Sequence, residues 1–190
     1  MSANRQVIWQ RLDTGGPGLE HLQLGRGWVS GSVIGRAKGS PFSLRYRIEV
    51  DAQGHPSACE LRVSGRSSLA LTRSAAGVWF GNGQEWSDLS GCTDLDLNIT
   101  PYTATLALRR LRLRPGQSGE VLAARIEVPS LSRQVVRQRY TCLTLTRYRS
   151  EDLAGDSSTE LSVDEDLFVR YWPGRFELIE GHWNRIEHME

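Results

Sequence analysis

The residues best placed to do chemistry lie close together in the middle of the chain. Asp94, Asp96 and Asn98 recur at every second position, so on a strand their polar groups share one face. Such a ladder can supply a carboxylate pair for acid–base work, or acceptors for sugar hydroxyls. A solvated strand face, or counter-charges for nearby arginines, explains the same residues without any chemistry. The spacing is that of the opening of a calcium loop, but Ile99 stands where that loop needs glycine and no glutamate closes it. Arg109, Arg110, Arg112 and Arg114 follow. Guanidinium forks match phosphate, sulfate or carboxylate, so the adjacent pair 109–110 points to an anionic head group or to structural carboxylate partners.

Aromatic residues form another group: Trp9, Trp28, Trp79, Trp86, Trp172 and Trp183, with Tyr102, Tyr140 and Tyr171. Singly, each is a core residue by expectation. Together on the concave face of a curved sheet they could hold an apolar ligand or stack on sugar rings. His21, His55, His182 and His188 have no metal-ligand spacing, and no G-x-S-x-G, Cys-His or Walker pattern occurs. Gly25 and Gly27 open no helix and lack the remaining glycine of a dinucleotide loop. The sequence therefore gives no sign of a catalytic residue, cofactor or metal.

These groups need elements to position them, and the pattern is that of strands. Phe42, Leu44, Tyr46, Ile48 and Val50 alternate with polar residues, and Cys59, Leu61 and Val63 return after a turn at 52–56 as the second arm of a hairpin. Shorter alternating runs surround 9–12, 19–24, 28–34, 69–71, 78–80, 122–128, 161–163, 167–172 and 176–183, with one long run at 135–148. Turns are expected at 13–18 and 115–119, and the loop 81–92 carries Trp86, which looks exposed. Residues 94–114 read as two strands joined at Thr100-Pro101, with Ala104, Leu106 and Leu108 on one face; at the arginine pair, where the alternation changes phase, the strand either carries a bulge or passes from one packing layer to another. No apolar 3.6-residue stripe persists for three turns; the nearest candidate lies within 130–139. Many short strands between turn signals indicate an all-β barrel or curved sheet, with 1–190 as a single domain.

Composition narrows the function class. The chain of 190 residues is 39% hydrophobic and 24% charged, as expected of a globular protein with a real core. Its formal net charge is +1, without the positive excess of a nucleic-acid binder. No stretch suggests a secretory signal or a transmembrane segment. Cys59, Cys92 and Cys142 are widely spaced and odd in number, which disfavours disulfides and zinc and makes the cytoplasm the expected compartment. Nothing fixes the oligomeric state.

Several segments together resemble the bacterial putative glycolipid-binding family. They are Trp9-Gln-Arg-Leu-Asp13, Gly91-Cys-Thr-Asp-Leu-Asp-Leu97, Thr100-Pro-Tyr-Thr to Arg109-Arg-Leu111, Val128-Pro-Ser-Leu131, Gln138-Arg-Tyr-Thr141 and the run 164–176. Ala104 and Ala107 stand where that family is expected to carry asparagine and proline. The resemblance implies a strongly curved antiparallel sheet forming an open half-barrel, or β-roll, with an apolar cavity, similar to lipoprotein-localisation carriers. The resulting expectation is a carrier or binding protein for a glycolipid or similar amphiphile. Its acyl part would lie in the cavity, and Arg109, Arg110, Asp94, Asp96, Tyr102, Trp79 and Tyr140 would contact the ligand. The alternative is an enzyme acting on a lipid or sugar through Asp94 or Asp96.

Overall fold

The computed structural model describes residues 4–12, 16–65, 68–155 and 157–184. The first part of the expected 13–18 turn, and His188, lie outside them. Among the described residues the strands are β1 (Asn4–Arg11), β2 (Gly18–Gly25), β3 (Trp28–Ala37), β4 (Ser40–Val50), β5 (Pro56–Val63), β6 (Ser68–Arg73), β7 (Trp79–Gly81) and β8 (Gln84–Glu85). They continue with β9 (Asp94–Leu97), β10 (Ser118–Glu127), β11 (Ser132–Thr144), β12 (Arg147–Asp152), β13 (Ser157–Val163), β14 (Val169–Trp172) and β15 (Phe176–Asn184). All belong to one sheet in the order 8-7-6-5-4-3-2-1-15-14-13-12-11-10-9, so β8 and β9 are its two ends and the sheet does not close.

The alternation read from the sequence is the burial pattern of these strands. In β4 the side chains of Phe42, Leu44, Tyr46 and Ile48 are buried while Arg45 and Glu49 face solvent. The register carries that inner face across the sheet: Val33 lies opposite Leu44, Leu44 opposite Val63, and Leu61 opposite Leu69. Gly31 sits opposite Tyr46, and a Cβ there would come within 2.2 Å of the Tyr46 ring. The glycine thus lets the phenol lie flat on β3.

Two expectations fail. The long run at 135–148 is a hairpin, because the chain turns at Leu145 and Thr146 between β11 and β12; the nearby 130–139 candidate helix is a turn followed by β11. More consequentially, the second central strand is a helix, α1 (Tyr102–Leu111). Pro101 starts it with φ −78° and ψ −8°, the φ being the one its ring fixes and one a helix also uses. The Thr100 hydroxyl accepts the Tyr102 N–H at 3.1 Å, satisfying one of the first-turn donors. The helix ends at Arg112, in left-handed conformation, whose N–H returns to the Leu108 carbonyl at 3.1 Å. Every residue from Tyr102 to Leu108 is buried. The helix has only ten residues, fewer than three turns, with its two arginines at one end, which is why no 3.6-residue stripe persisted for three turns. The apparent bulge at Arg109 and Arg110 is simply helical phase.

This helix has a topological task. β9 and β10 are parallel, with Ala123 opposite Asp94 and Ile126 opposite Leu97, whereas the other strand pairs are antiparallel. Parallel neighbours need a crossover, and α1 provides it. All four β9 residues are buried. Leu95 and Leu97 share a core with Leu44, Ile48, Leu61 and Leu71 of the strands at the far end of the sheet. Val121 of β10, on the opposite face, joins a second core with Ala104, Ala107 and Leu108 of α1, Tyr148 and Leu161. The sheet therefore rolls until its β9–β10 end is covered on both faces.

One polar node is sealed inside. Glu20, fully buried on β2, accepts the Tyr46 hydroxyl, whose oxygen in turn lies 3.1 Å from the Thr100 hydroxyl, the donor of that contact. Burial pushes the Glu20 carboxyl up to about 8, against the opposing effects of the Tyr46 and Thr100 hydroxyls and Arg11. Burial and the adjacent Glu20 also raise the Tyr46 phenol. Glu20 thus binds its proton more tightly folded than unfolded, so it contributes stability at low pH that is lost as pH rises through about 8. We expect the thermal midpoint to fall between pH 5 and 9 by the equivalent of roughly 4 kcal/mol at most. Glu20→Gln should flatten that decline in a melting series over pH; an equally steep decline in the variant would exclude Glu20 as its cause.

Candidate functional site

The C-terminal end of α1 meets the β2–β3 turn and the β4–β5 turn around a groove of about 550 Å³. Its lining combines two chemistries. Leu24, Trp28, Val50, Tyr102 and Leu106 are its large apolar and aromatic residues, and Arg109, Arg110 and Arg112 its cationic ones. Trp28 folds back over Gly25, where any Cβ would come within 2.1 Å of the indole, and the Arg47 guanidinium lies 4.4 Å over its ring. Tyr102, almost wholly buried, packs against Phe168 with centroids 5.8 Å apart. Burial raises its phenol above the ordinary value, although Arg109 opposes the shift.

The three arginines are held differently. Arg109 donates through Nε and Nη2 to the Asp166 carbonyl at 3.0 and 2.8 Å. A neutral carbonyl fixes the guanidinium but leaves its charge uncompensated. Arg110 forms a two-pronged pair with Asp94, Nε to Oδ1 at 3.2 Å and Nη2 to Oδ2 at 2.6 Å. Arg112 is exposed, and its side chain has no partner among the described residues. Asp51 lines the same groove, but its Oδ1 accepts the Gln53 and His55 N–H groups at 2.9 and 2.8 Å. The loop below Arg109 is pinned from several sides. Arg5 pairs with Asp164 and, at 3.1 Å, with Asp166, and stacks 3.8 Å over Phe168; Thr105 donates to the Leu167 carbonyl at 2.9 Å.

The residues proposed from sequence are thereby divided. Arg109, Arg110 and Tyr102 come together at the groove, with Asp94 behind Arg110. Asp96 turns elsewhere: its Oδ2 accepts Arg125 Nε at 2.7 Å and Gln138 Nε2 at 3.3 Å. The Tyr140 hydroxyl donates to Gln138 Oε1 at 3.3 Å, and burial with the nearby Asp96 raises that phenol. Asp94, Asp96 and Tyr140 border only a void of about 10 Å³. Trp79 is core, donating to the Cys92 carbonyl at 2.9 Å. Trp86 is half-buried rather than exposed, lying on Gly81 beneath Arg133 at 4.0 Å. Leu24, Val50 and Leu106 were not anticipated as groove residues, and Trp28 only as one of the aromatic group. The one local signal was Gly25 and Gly27 immediately before Trp28, small residues that let a large ring fold back.

Comparison with known proteins follows the geometry. A family model described as "Putative glycolipid-binding" matches residues 6–177. A crystal structure of a DUF1089 family protein from Pseudomonas aeruginosa is similar, with 32% identity, 84% of this chain and 91% of that one covered, and a TM-score of 0.80. No curated protein matches the chain. Among the described residues, no helix is long and apolar enough to cross a membrane.

The Asp94–Arg110 pair is buried enough to matter. Arg110→Ala should leave Asp94, 3% exposed, without its cation and cost about 3 kcal/mol in chemical denaturation. Adding Asp94→Leu should recover part of that loss; if Arg110→Ala costs nothing, the pair is not what holds α1 to β9.

Proposed function

The chain belongs to the Putative glycolipid-binding family, and from that premise we propose that it binds an amphiphile in the groove at the end of α1. The acyl portion lies along Leu24, Trp28, Val50, Tyr102 and Leu106, and the polar head meets Arg109, Arg110 and Arg112. The observation that carries this reading is that one groove is lined by both apolar and cationic side chains. Burying acyl chain contributes about 0.8 kcal/mol per methylene, while oriented guanidinium groups select the head. Arg109 and Arg112 are the stronger head-group contacts, because Arg110 is already matched by Asp94. The role given to Asp94 is therefore to orient Arg110, and the roles given to Asp96, Tyr140 and Trp79 are structural.

An acid or base at Asp94 or Asp96 receives less support. A working carboxylate needs a dry setting that raises its pKa and access to a substrate. Both aspartates instead sit against guanidinium groups, and they border the small void rather than the groove. The three buried, unpaired cysteines suit a reducing compartment.

Native mass spectrometry of protein purified without detergent, followed by organic extraction, tests the proposal. A bound acyl compound with an acidic or polar head is expected. Arg112→Glu should lower its retention about tenfold, the equivalent of about 1.4 kcal/mol. A clean apo mass after incubation with a total bacterial lipid extract would overturn the reading.

A further inference from the structure

A groove at the other end of the roll has a different chemistry. Strand register fixes its position. Along β1, Arg5 lies opposite Leu24, at the first groove, whereas Arg11 lies opposite Gly18 and Phe176 at the far end. Phe176 pairs with Trp172, and Trp172 borders a second groove of about 350 Å³. The two openings thus stand at opposite ends of the strands. Such a volume falls within the range of about 300–1,000 Å³ typical of small-molecule sites.

The polar lining is balanced in charge. Glu127 and Asp152 face Arg125 and Arg175, so the formal charges cancel. Between them stand Ser150, Ser157 and Thr159 on β12 and β13, with Gln138 on β11. Carboxylates only accept and guanidinium groups only donate, whereas alcohols do both. Fixed donors and acceptors interleaved at one opening therefore suit a neutral polyhydroxyl ligand. An inorganic anion would meet two carboxylates, and an acyl chain would find Trp172 as the one large apolar side chain.

Two donors here are unspent. Trp172 is 4% exposed, and its buried indole N–H has no hydrogen-bond partner among the described residues. A buried N–H without an acceptor is costly and calls for an explanation. Arg175 lies 4.2 Å over the Trp172 ring, and its guanidinium makes no hydrogen bond among the described residues. By contrast Arg125 is committed: Nε donates to Asp96, and Nη1 stands 3.7 Å from Asp152. The framework is thus rigid on the β10 side and has donor capacity on the β14 side.

We propose that this second groove is a binding site for one neutral sugar ring, which lies beside Trp172 and whose hydroxyls accept from Arg175 and donate to Asp152 or Glu127. The site is independent of the amphiphile groove and stands or falls separately. The Trp172 indole N–H is its reporter. In ¹H–¹⁵N spectra of the intact protein, titration with the methyl glycosides of neutral hexoses should shift the Trp172 indole signal with at least one of them, in the millimolar range. Thr159→Val, which removes one hydroxyl at the rim, should weaken that response several-fold while leaving the remaining spectrum native. Sodium sulfate should leave the signal in place. If no neutral hexoside moves the Trp172 signal, if sulfate moves it instead, or if folded Thr159→Val responds like the parent, the proposal is overturned.

Discussion

The rest of the structure depends on one buried strand whose two carboxylates must be neutralised. β9 is covered on both faces, so Asp94 and Asp96 cannot remain as a solvated ladder. Each obtains a guanidinium from a different element, Arg110 on α1 and Arg125 on β10. Removing an ion from water is costly unless its partner and hydrogen bonds are well placed. Here Thr93 donates to Asp94 at 2.6 Å, and Gln138 to Asp96 at 3.3 Å. The two pairs lock the helix to one side of β9 and the neighbouring strand to the other, which is what the parallel crossover requires.

From this follows the placement of the two grooves beside the helix and β10. The helix, about 15 Å long at 1.5 Å per residue, runs through the rolled sheet, with Thr100 at one end and the arginines at the other. Asp94 orients an arginine at the first groove and Asp96 an arginine at the second. Residues two apart on one strand face thus serve opposite ends. The sealed Glu20–Tyr46–Thr100 node ties β2 and β4 to the start of the same helix, so the roll and its crossover are joined by polar contacts as well as by apolar packing.

The family is supported by a match over residues 6–177 and by a solved relative at 32% identity. These connect the fold to a binding role named for glycolipids. In the groove proposed for an amphiphile, the arginines are held by a carbonyl, by a carboxylate, or by no partner among the described residues, so their charge is unequally available.

What the sequence determined by itself was the strand content. Alternation in runs such as 42–50 and 59–63 is local, because successive side chains of any strand point to opposite faces. It also brought Arg109, Arg110 and Tyr102 into one candidate group, since neighbours in a short segment stay neighbours in space. Only the tertiary structure decided that 102–111 is helical, because a helix of fewer than three turns is too short for its apolar stripe to stand out from the alternation of a strand. Only the roll separated the partners of Asp96 from those of Asp94, brought Leu24, Trp28 and Val50 to one groove with Leu106, and set Trp172 beside a polar opening. Those relations join residues far apart in the chain, and their geometry exists only once the sheet has curled over its own end.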